Sequence, residues 1–291
     1  MGHKNRETLV KQASDALNRQ FQEGKGRKKH IDKQIENGMR GRIYSDCTLQ
    51  TYKRHCCYFV KWCREKYHCK TLEECREHVP EWMATRSGLS AWTQKLEGCA
   101  IAKMYGCKSE DLNIKTPSRK RSDIKRSRNP TEYDRHFSEK NHSDIVTFGK
   151  STGLRRRELS RIRGSALIEK GGRYYLEVKE GTKGKRPRVS PIMGTPEEIE
   201  LVVRLCRKAG NNRVFDKVPH AMDEHSYRKE YCNRVYQAEK RPLETLSDKQ
   251  KYFCRGDMKG VVYDRRALIR ASEALGHSRI SVIPSNYTPD M

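Results

Sequence analysis

Residues 152–159 read TGLRRREL. Apolar positions before this stretch predict a helix, the Thr152-Gly153 pair predicts a turn, and Leu154 begins the apolar pattern of a second helix. Arg155 therefore stands where the turn meets that helix. Its role is ambiguous from this stretch alone, because a single arginine in so basic a chain is more often a phosphate contact or a solvated charge than a catalyst. Three further arginines share the ambiguity: Arg156, Arg157 and Arg161.

The surrounding sequence, residues 142–291, predicts a mixed domain. RYYLEVK (173–179) and RVSPI (188–192) have the composition of strands, and a basic, glycine-containing turn joins them, so they predict an antiparallel hairpin. Thr195 and Glu198 form a capping-box pattern at the start of a helix. Apolar spacing predicts further helices over residues 196–210, 227–238 and 262–275.

Residues 1–114 predict a small helical domain with basic outer faces. Apolar residues recur at helical spacing over residues 4–22, and Ser45 or Asp46 can cap a second helix that runs to Trp62. The aromatic residues at this spacing indicate a core rather than a platform for stacking bases. Two more helices are predicted, over residues 72–84 and 90–106.

A basic linker is predicted over residues 115–141, because residues 115–129 read KTPSRKRSDIKRSRN. A charged linker is extended, and where it touches DNA it would follow the phosphate backbone; a merely solvated spacer is the alternative. The candidate contacts with the DNA backbone are Arg119, Lys120, Arg121, Lys125 and Arg126.

The charge balance indicates a polyanionic partner. The chain has 62 lysines and arginines against 37 acidic residues, a net charge of +25. Neutralising phosphates releases condensed counterions, so such a chain gains salt-dependent affinity for nucleic acid. A basic but inert surface and a ribosome-type RNA binder remain the alternatives.

Neither an export signal nor a membrane-spanning stretch is recognised, so we expect a cytoplasmic, nucleoid-associated protein with reduced cysteines. Cys63, Cys69 and Cys75, with His68 and His78, are the cluster that could suggest a metal. The six-residue spacing of the cysteines fits no zinc pattern, so buried, unreactive thiols on helices are predicted instead. No P-loop, nucleotide fingerprint or acidic metal cluster is recognised, and we expect neither metal nor cofactor.

Further elements follow Arg155 in the chain, and together they resemble the motifs of the tyrosine recombinase (phage integrase) family. These elements are Lys183 in KGKRPRVSPI, the H-x-x-R box His225-Ser226-Tyr227-Arg228, the L-G-H box Leu275-Gly276-His277, and Tyr287 near the C-terminus. The resemblance covers residues 143–291 well and the helical domain more loosely.

The resemblance implies a mainly α fold, with a SAM-like core-binding domain followed by an α+β catalytic domain. It implies a site-specific recombinase or integrase that cuts and rejoins double-stranded DNA through a 3′-phosphotyrosyl link to Tyr287, without ATP or metal. The implied partners are attachment-site DNA, the chain itself as a tetramer on two duplexes, and a directionality factor or DNA-bending host protein. An integrase of a prophage or other mobile element is favoured over a chromosome-dimer resolvase.

The chemistry of the reaction assigns a role to each residue type. Negative charge builds on the nonbridging oxygens of the attacked phosphate, and Arg155 and Arg228 can bind them with permanently charged, fork-shaped groups. The phenol of Tyr287 needs a base, for which His225 is the candidate, while His277 would donate a hydrogen bond to the phosphate. The leaving 5′ oxygen needs a proton from a lysine; Lys183 is the candidate, and Lys179 and Lys185 compete with it.

Some features depart from the family's usual pattern. The interval from His277 to Tyr287 is one residue longer than usual and contains Pro284, which suggests a nucleophile on a loop. Residues 241–259 look like an inserted surface excursion. Two other functions fit the same residues: a type IB topoisomerase, and an accessory DNA-binding protein without catalysis.

Overall fold

The computed structural model describes residues 7–35, 41–120, 123–124, 136–182 and 186–287. It divides into two compact units, Met1–Asp123 and Ile124–Met291. The division falls inside residues 115–141, the stretch expected to be the linker. None of the described helices is long and apolar enough to cross a bilayer.

The first unit is helical. Ser45 begins its longest helix, because the Ser45 hydroxyl accepts a hydrogen bond from the backbone N–H of Thr48 at 3.3 Å, as the sequence predicted. That helix packs against the first and last helices of the unit, and Phe59 and Cys63 on it are fully buried. The helices are α1 (Leu9–Gly24), α2 (Lys29–Ile35), α3 (Asp46–Tyr67), α4 (Leu72–Arg76), α5 (Val79–Thr85) and α6 (Ala91–Met104).

The single helix predicted over residues 72–84 is wrong, because the structure has α4 and α5 there, broken at Glu77 and His78. Pro80 lies in the first turn of α5. A proline has no N–H to donate, which is harmless in a first turn and disruptive in the middle of a longer helix.

The three cysteines that raised the question of a metal are buried: Cys63, Cys69 and Cys75. Burial raises the pKa of the Cys69 thiol to about 11. Cys69 lies between α3 and α4, not on a helix. Within the described residues, no group of three or more His, Cys, Asp or Glu side chains is arranged to hold a metal ion.

The second unit combines helices with two small antiparallel sheets, and Pro196 and the Thr195–Glu198 capping box begin one of its helices as predicted. The helices are α7 (Ser143–Thr152), α8 (Arg156–Leu159), α9 (Pro196–Ala209), α10 (Glu224–Glu239), α11 (Arg265–Ala274) and α12 (Val282–Asn286). The strands are β1 (Leu167–Lys170), β2 (Arg173–Val178), β3 (Arg188–Pro191), β4 (Lys251–Phe253) and β5 (Val262–Asp264).

The predicted hairpin is confirmed as β2 and β3, which pair in antiparallel register with Val178 opposite Arg188. The sequence did not predict β1, which adds a third strand on the other side of β2. Gly171 and Gly172 make the tight β1–β2 turn, both with positive φ, at 59° and 69°. That conformation suits glycine and matches the twist of the paired strands.

Residues 241–259 are not a surface excursion, contrary to expectation. Their strand β4 pairs with β5, and Leu246 and Cys254 are buried. Arg241 binds the buried carboxylate of Asp264 through two hydrogen bonds, of 2.9 and 2.8 Å. The segment therefore fixes the start of α11, which Asp264 caps.

Candidate active site

Arg155 projects from the predicted turn between α7 and α8. Gly153 ends α7 with a φ of 59°, and a Cβ at that position would lie 2.3 Å from the ring of Tyr231. Only glycine fits both constraints. Arg155 then precedes α8 in an extended conformation, and its backbone N–H donates to Glu158 at 2.8 Å. The turn thus fixes the backbone from which the Arg155 side chain projects.

Arg228 lies on α10 and is fully buried. Its guanidinium donates to the carbonyl of Gly153, in the Arg155 turn, and to that of Leu275 at 3.2 Å. Its Nε is buried and has no hydrogen-bond partner among the described residues. Burial is the main cause that lowers the pKa of Arg228, and the charge of Arg155 acts in the same direction.

His277 and Tyr287 are brought together by the turn after α11. Gly276 has a φ of 68°, and the His277 N–H donates back to Ser272 at 2.8 Å, which closes the helix end. The Nε2 of His277 lies 3.3 Å from the hydroxyl of Tyr287. The Arg228 guanidinium lies 6.0 Å from the centre of the Tyr287 ring.

The sequence suggests a loop around Tyr287, but the residues just before it form the short helix α12. Helix α12 forms despite Pro284, because Pro284 lies in its first turn, where an N–H is not needed. Tyr287 directly follows this helix, and its N–H donates to Ile283 at 2.9 Å. Tyr287 is only 2% exposed.

The other predicted residues are exposed or lie outside the described part of the chain. His225 is exposed in the first turn of α10. Lys179 is largely exposed and paired with Glu177 at 2.8 Å. Arg119 and Lys120 are exposed. The residues outside the described ranges are Lys183, Lys185, Arg121, Lys125 and Arg126.

Two residues next to Arg155 were not assigned a role from the sequence, namely Glu158 and its partner Arg188. Arg188 binds the buried Glu158 carboxylate with two hydrogen bonds of 2.8 Å. Burial raises the pKa of Glu158, but the bonds and charge of Arg188 outweigh it, so the pKa of Glu158 is lowered overall. The sequence contains one signal of an inward-facing Arg188: it lies two residues before Ser190 on the predicted strand, so the two side chains are on the same face.

No protein-family model and no curated protein sequence matches this chain. Among solved structures, it is similar to the XerH site-specific recombinase bound to difH substrate in a pre-cleavage complex. That similarity has 14% identity and a TM-score of 0.52, over 97% of this chain and 93% of that one. The post-cleavage complex of XerH with a palindromic difH substrate gives 14% identity and a TM-score of 0.51, over 96% and 90%.

The fold is that of the tyrosine recombinases. At this identity the similarity shows the fold alone. It confirms the predicted class, a mainly α chain with a helical N-terminal part and a mixed part that carries a small antiparallel sheet.

Proposed function

We propose that this protein is a site-specific DNA recombinase that cleaves and rejoins DNA through a covalent link to Tyr287. One observation carries the proposal: in a chain with this fold, the Tyr287 hydroxyl lies 3.3 Å from His277 and its ring lies beside Arg228. Different elements supply these groups, namely α10, the turn after α11, and the end of α12.

The arginines suit a phosphodiester under attack. Arg228 keeps one buried donor, Nε, that has no partner in the part of the chain the structure describes, and the Arg155 side chain is 21% exposed. Charged donors fixed before the reaction stabilise the oxygens on which charge develops, and they act more strongly where water is excluded. Both arginines would hold the nonbridging oxygens of the scissile phosphate.

Cleavage would be a transesterification. The Tyr287 oxygen forms a bond to phosphorus, the bond from phosphorus to the 5′ oxygen breaks, and the phenol proton passes to a base. The geometry favours His277 as that base, since its Nε2 lies within hydrogen-bond reach of the phenol. His225, the residue expected from the sequence, would then contact the phosphate or the flanking DNA. A lysine of the β2–β3 turn, Lys183 by preference, would protonate the 5′ oxygen.

The new phosphotyrosyl bond keeps the energy of the phosphodiester, so rejoining by a 5′ hydroxyl needs no ATP. The net charge of +25 supports binding to the DNA backbone. Integration or excision of a mobile element, by a tetramer on two duplexes, is the role that we propose for this chemistry.

A covalent-trapping assay tests the proposal. Wild type, Tyr287→Phe, His277→Ala and His225→Ala would be mixed with nicked duplexes from the boundaries of the genomic segment that encodes the chain, then run on denaturing gels. We expect a protein–DNA band with wild type, none with Tyr287→Phe, and a larger loss with His277→Ala than with His225→Ala.

Binding without capture by any variant, at low salt, would overturn the catalytic proposal and leave an accessory DNA-binding protein. Capture on duplexes of any sequence, together with relaxation of supercoiled plasmid, would instead indicate a type IB topoisomerase.

A further inference from the structure

We propose that Arg188 is a positioning residue that fixes Arg155 relative to the turn carrying His277. The inference rests on the proposed function, because the two groups that it positions belong to the proposed cleavage site. Arg188 comes from β3, within the stretch KGKRPRVSPI that carries Lys183, and it is not one of the residues to which the sequence assigned a role.

The first half of the connection runs from Arg188 to the Arg155 turn. The Glu158 carboxylate accepts both Nη groups of Arg188 at 2.8 Å. The same carboxylate accepts the backbone N–H of Arg155 at 2.8 Å and its Nη1 at 3.0 Å. Each carboxylate oxygen thus binds both arginines, so a movement of Arg188 would be passed to Arg155.

The second half runs from Arg188 to the end of α11. The Nε of Arg188 donates to the carbonyl of Ala274 at 2.9 Å, and Ser190 donates to the same carbonyl at 2.7 Å. Gly276 packs directly on the arginine, since a Cβ there would lie 3.1 Å from the Arg188 Cδ. His277 is the next residue, so Arg188 holds the turn that presents it.

Stability alone is a poor explanation for this pair. The side chains of Arg188 and Glu158 are 6% and 0% exposed. Taking two charges out of water offsets much of their attraction, and well-packed apolar residues often replace such pairs without loss of stability. A fork-shaped group with donors on several sides does what a lysine cannot, because it binds a carboxylate and a carbonyl in fixed directions.

Disturbing Arg188 should lower the rate of covalent capture rather than the affinity for DNA. Shifts of about 1 Å in positioned groups can cost about 100-fold in rate. We therefore expect Arg188→Lys to lower the rate constant of covalent capture about 10- to 100-fold, with little change in the affinity for DNA.

The experiment follows single-turnover capture on the nicked duplex at saturating protein, recording both the rate constant and the final amplitude. The variants are Arg188→Lys and the double variant Glu158→Gln/Arg188→Met, which leaves no unpaired buried charge if the single variant folds poorly. Arg234→Lys is the matched control. Arg234 also binds a glutamate with two hydrogen bonds, to Glu198 at 2.6 and 3.1 Å, and a carbonyl, that of Met193 at 3.2 Å.

A lowered rate constant at full amplitude for the Arg188 variants, with the Arg234→Lys rate constant unchanged, supports the inference. A lowered amplitude at an unchanged rate constant overturns it, because that result means only fewer folded molecules. An unchanged rate constant and amplitude overturn it as well. If wild type forms no covalent complex, the proposed function fails and the inference fails with it. If wild type forms the complex but the Arg188 variants capture DNA with the wild-type rate constant, the inference alone fails.

Discussion

The two units differ in where their buried charged residues lie. The described residues of the first unit form one apolar cluster, and the buried Glu97 is paired locally with Arg86 at 2.9 and 3.1 Å. Those described in the second unit form two apolar clusters, and α10 contributes to both, with Tyr227 in one and Tyr231 in the other. Arg228 lies between these two tyrosines in the chain and is fully buried.

Two arginines of the second unit, Arg228 and Arg188, join segments that contribute to its two apolar clusters. Arg228 connects the carbonyl of Gly153 to that of Leu275, and Arg188 connects Glu158 to the carbonyl of Ala274. Buried charge is weak evidence of stability, so this arrangement is better explained by the geometry it imposes. Substitutions there should change the capture rate, whereas substitutions in the first unit should change stability alone.

The sequence offers a way to observe the units separately. All three tryptophans lie in the first unit, at positions 62, 82 and 92. Tryptophan fluorescence therefore reports unfolding of that unit, and hydrogen exchange of peptides from residues 143–287 reports the other.

The largest effect is expected for Arg228→Met. Loss of one fixed donor at a developing charge costs about 100- to 1,000-fold in rate, and the Nε of Arg228 is such a donor. The carbonyls of Gly153 and Leu275 would also lose their partner, at about 1–3 kcal/mol each. We expect single-turnover capture to fall by at least about 100-fold, with faster exchange in the second unit and unchanged tryptophan fluorescence.

Arg86→Met is the counterpart in the first unit. It leaves Glu97 buried without its arginine, which should destabilise that unit by about 3–5 kcal/mol, as seen by tryptophan fluorescence in urea. The capture rate constant of folded molecules should not change. A large fall in that rate constant would contradict the division of roles between the units.

Phe59→Ala is expected to have the next largest effect. Phe59 is fully buried in the apolar cluster of the first unit, and its ring centre lies 6.2 Å from that of Trp82, with the two rings tilted by 55°. Truncating a buried phenylalanine costs about 3–5 kcal/mol. Urea unfolding followed by tryptophan fluorescence measures this loss; exposed Tyr58→Ala, next to it on α3, is the control and should cost less than about 0.5 kcal/mol.

A smaller, pH-dependent effect is expected for Asp264→Asn. Hydrogen bonds from Arg241 hold the pKa of Asp264 at about 2, against the opposing effect of burial. An unfolded aspartate has a pKa near 3.9, so this lowered pKa contributes about 2–3 kcal/mol above pH 5, which is lost as the pH falls toward 2.

The measurement for Asp264 is urea unfolding at several pH values, followed by circular dichroism and by hydrogen exchange in the second unit. Wild type should exceed Asp264→Asn in stability at pH 7, and the difference should shrink steadily below pH 4. A difference independent of pH would mean that the carboxylate charge is not the cause.

The sequence predicted the elements that short-range patterns encode. The Thr195 capping box, the Ser45 cap and the β2–β3 hairpin depend on residues a few positions apart, and the structure contains each of them. The strands β4 and β5 were missed because each has three residues, too few for an alternating pattern to stand out.

Within the site, the motifs indicated Arg155, Arg228, His277 and Tyr287 but not how they meet. The contact between His277 and Tyr287 depends on the turn at Gly276, and spacing alone does not give that geometry. The pairing of Glu158 with Arg188 joins residues 30 positions apart, so it arises only from the packed fold.

The smallest effect is expected for Ser45→Ala, which removes the cap of α3 in the first unit. The Ser45 hydroxyl accepts the N–H of Thr48 at 3.3 Å, and alanine would leave that donor to water, at a cost of about 1 kcal/mol. Ser45→Asp, which can accept the same bond and adds a favourable charge at the helix start, should retain the wild-type stability. Both variants should capture DNA with the wild-type rate constant, because the cap acts on the helical unit alone. A slower rate constant for Ser45→Ala at full amplitude would show that the first unit also positions the cleavage site. Substitutions in the first unit would then affect the capture rate as well as stability.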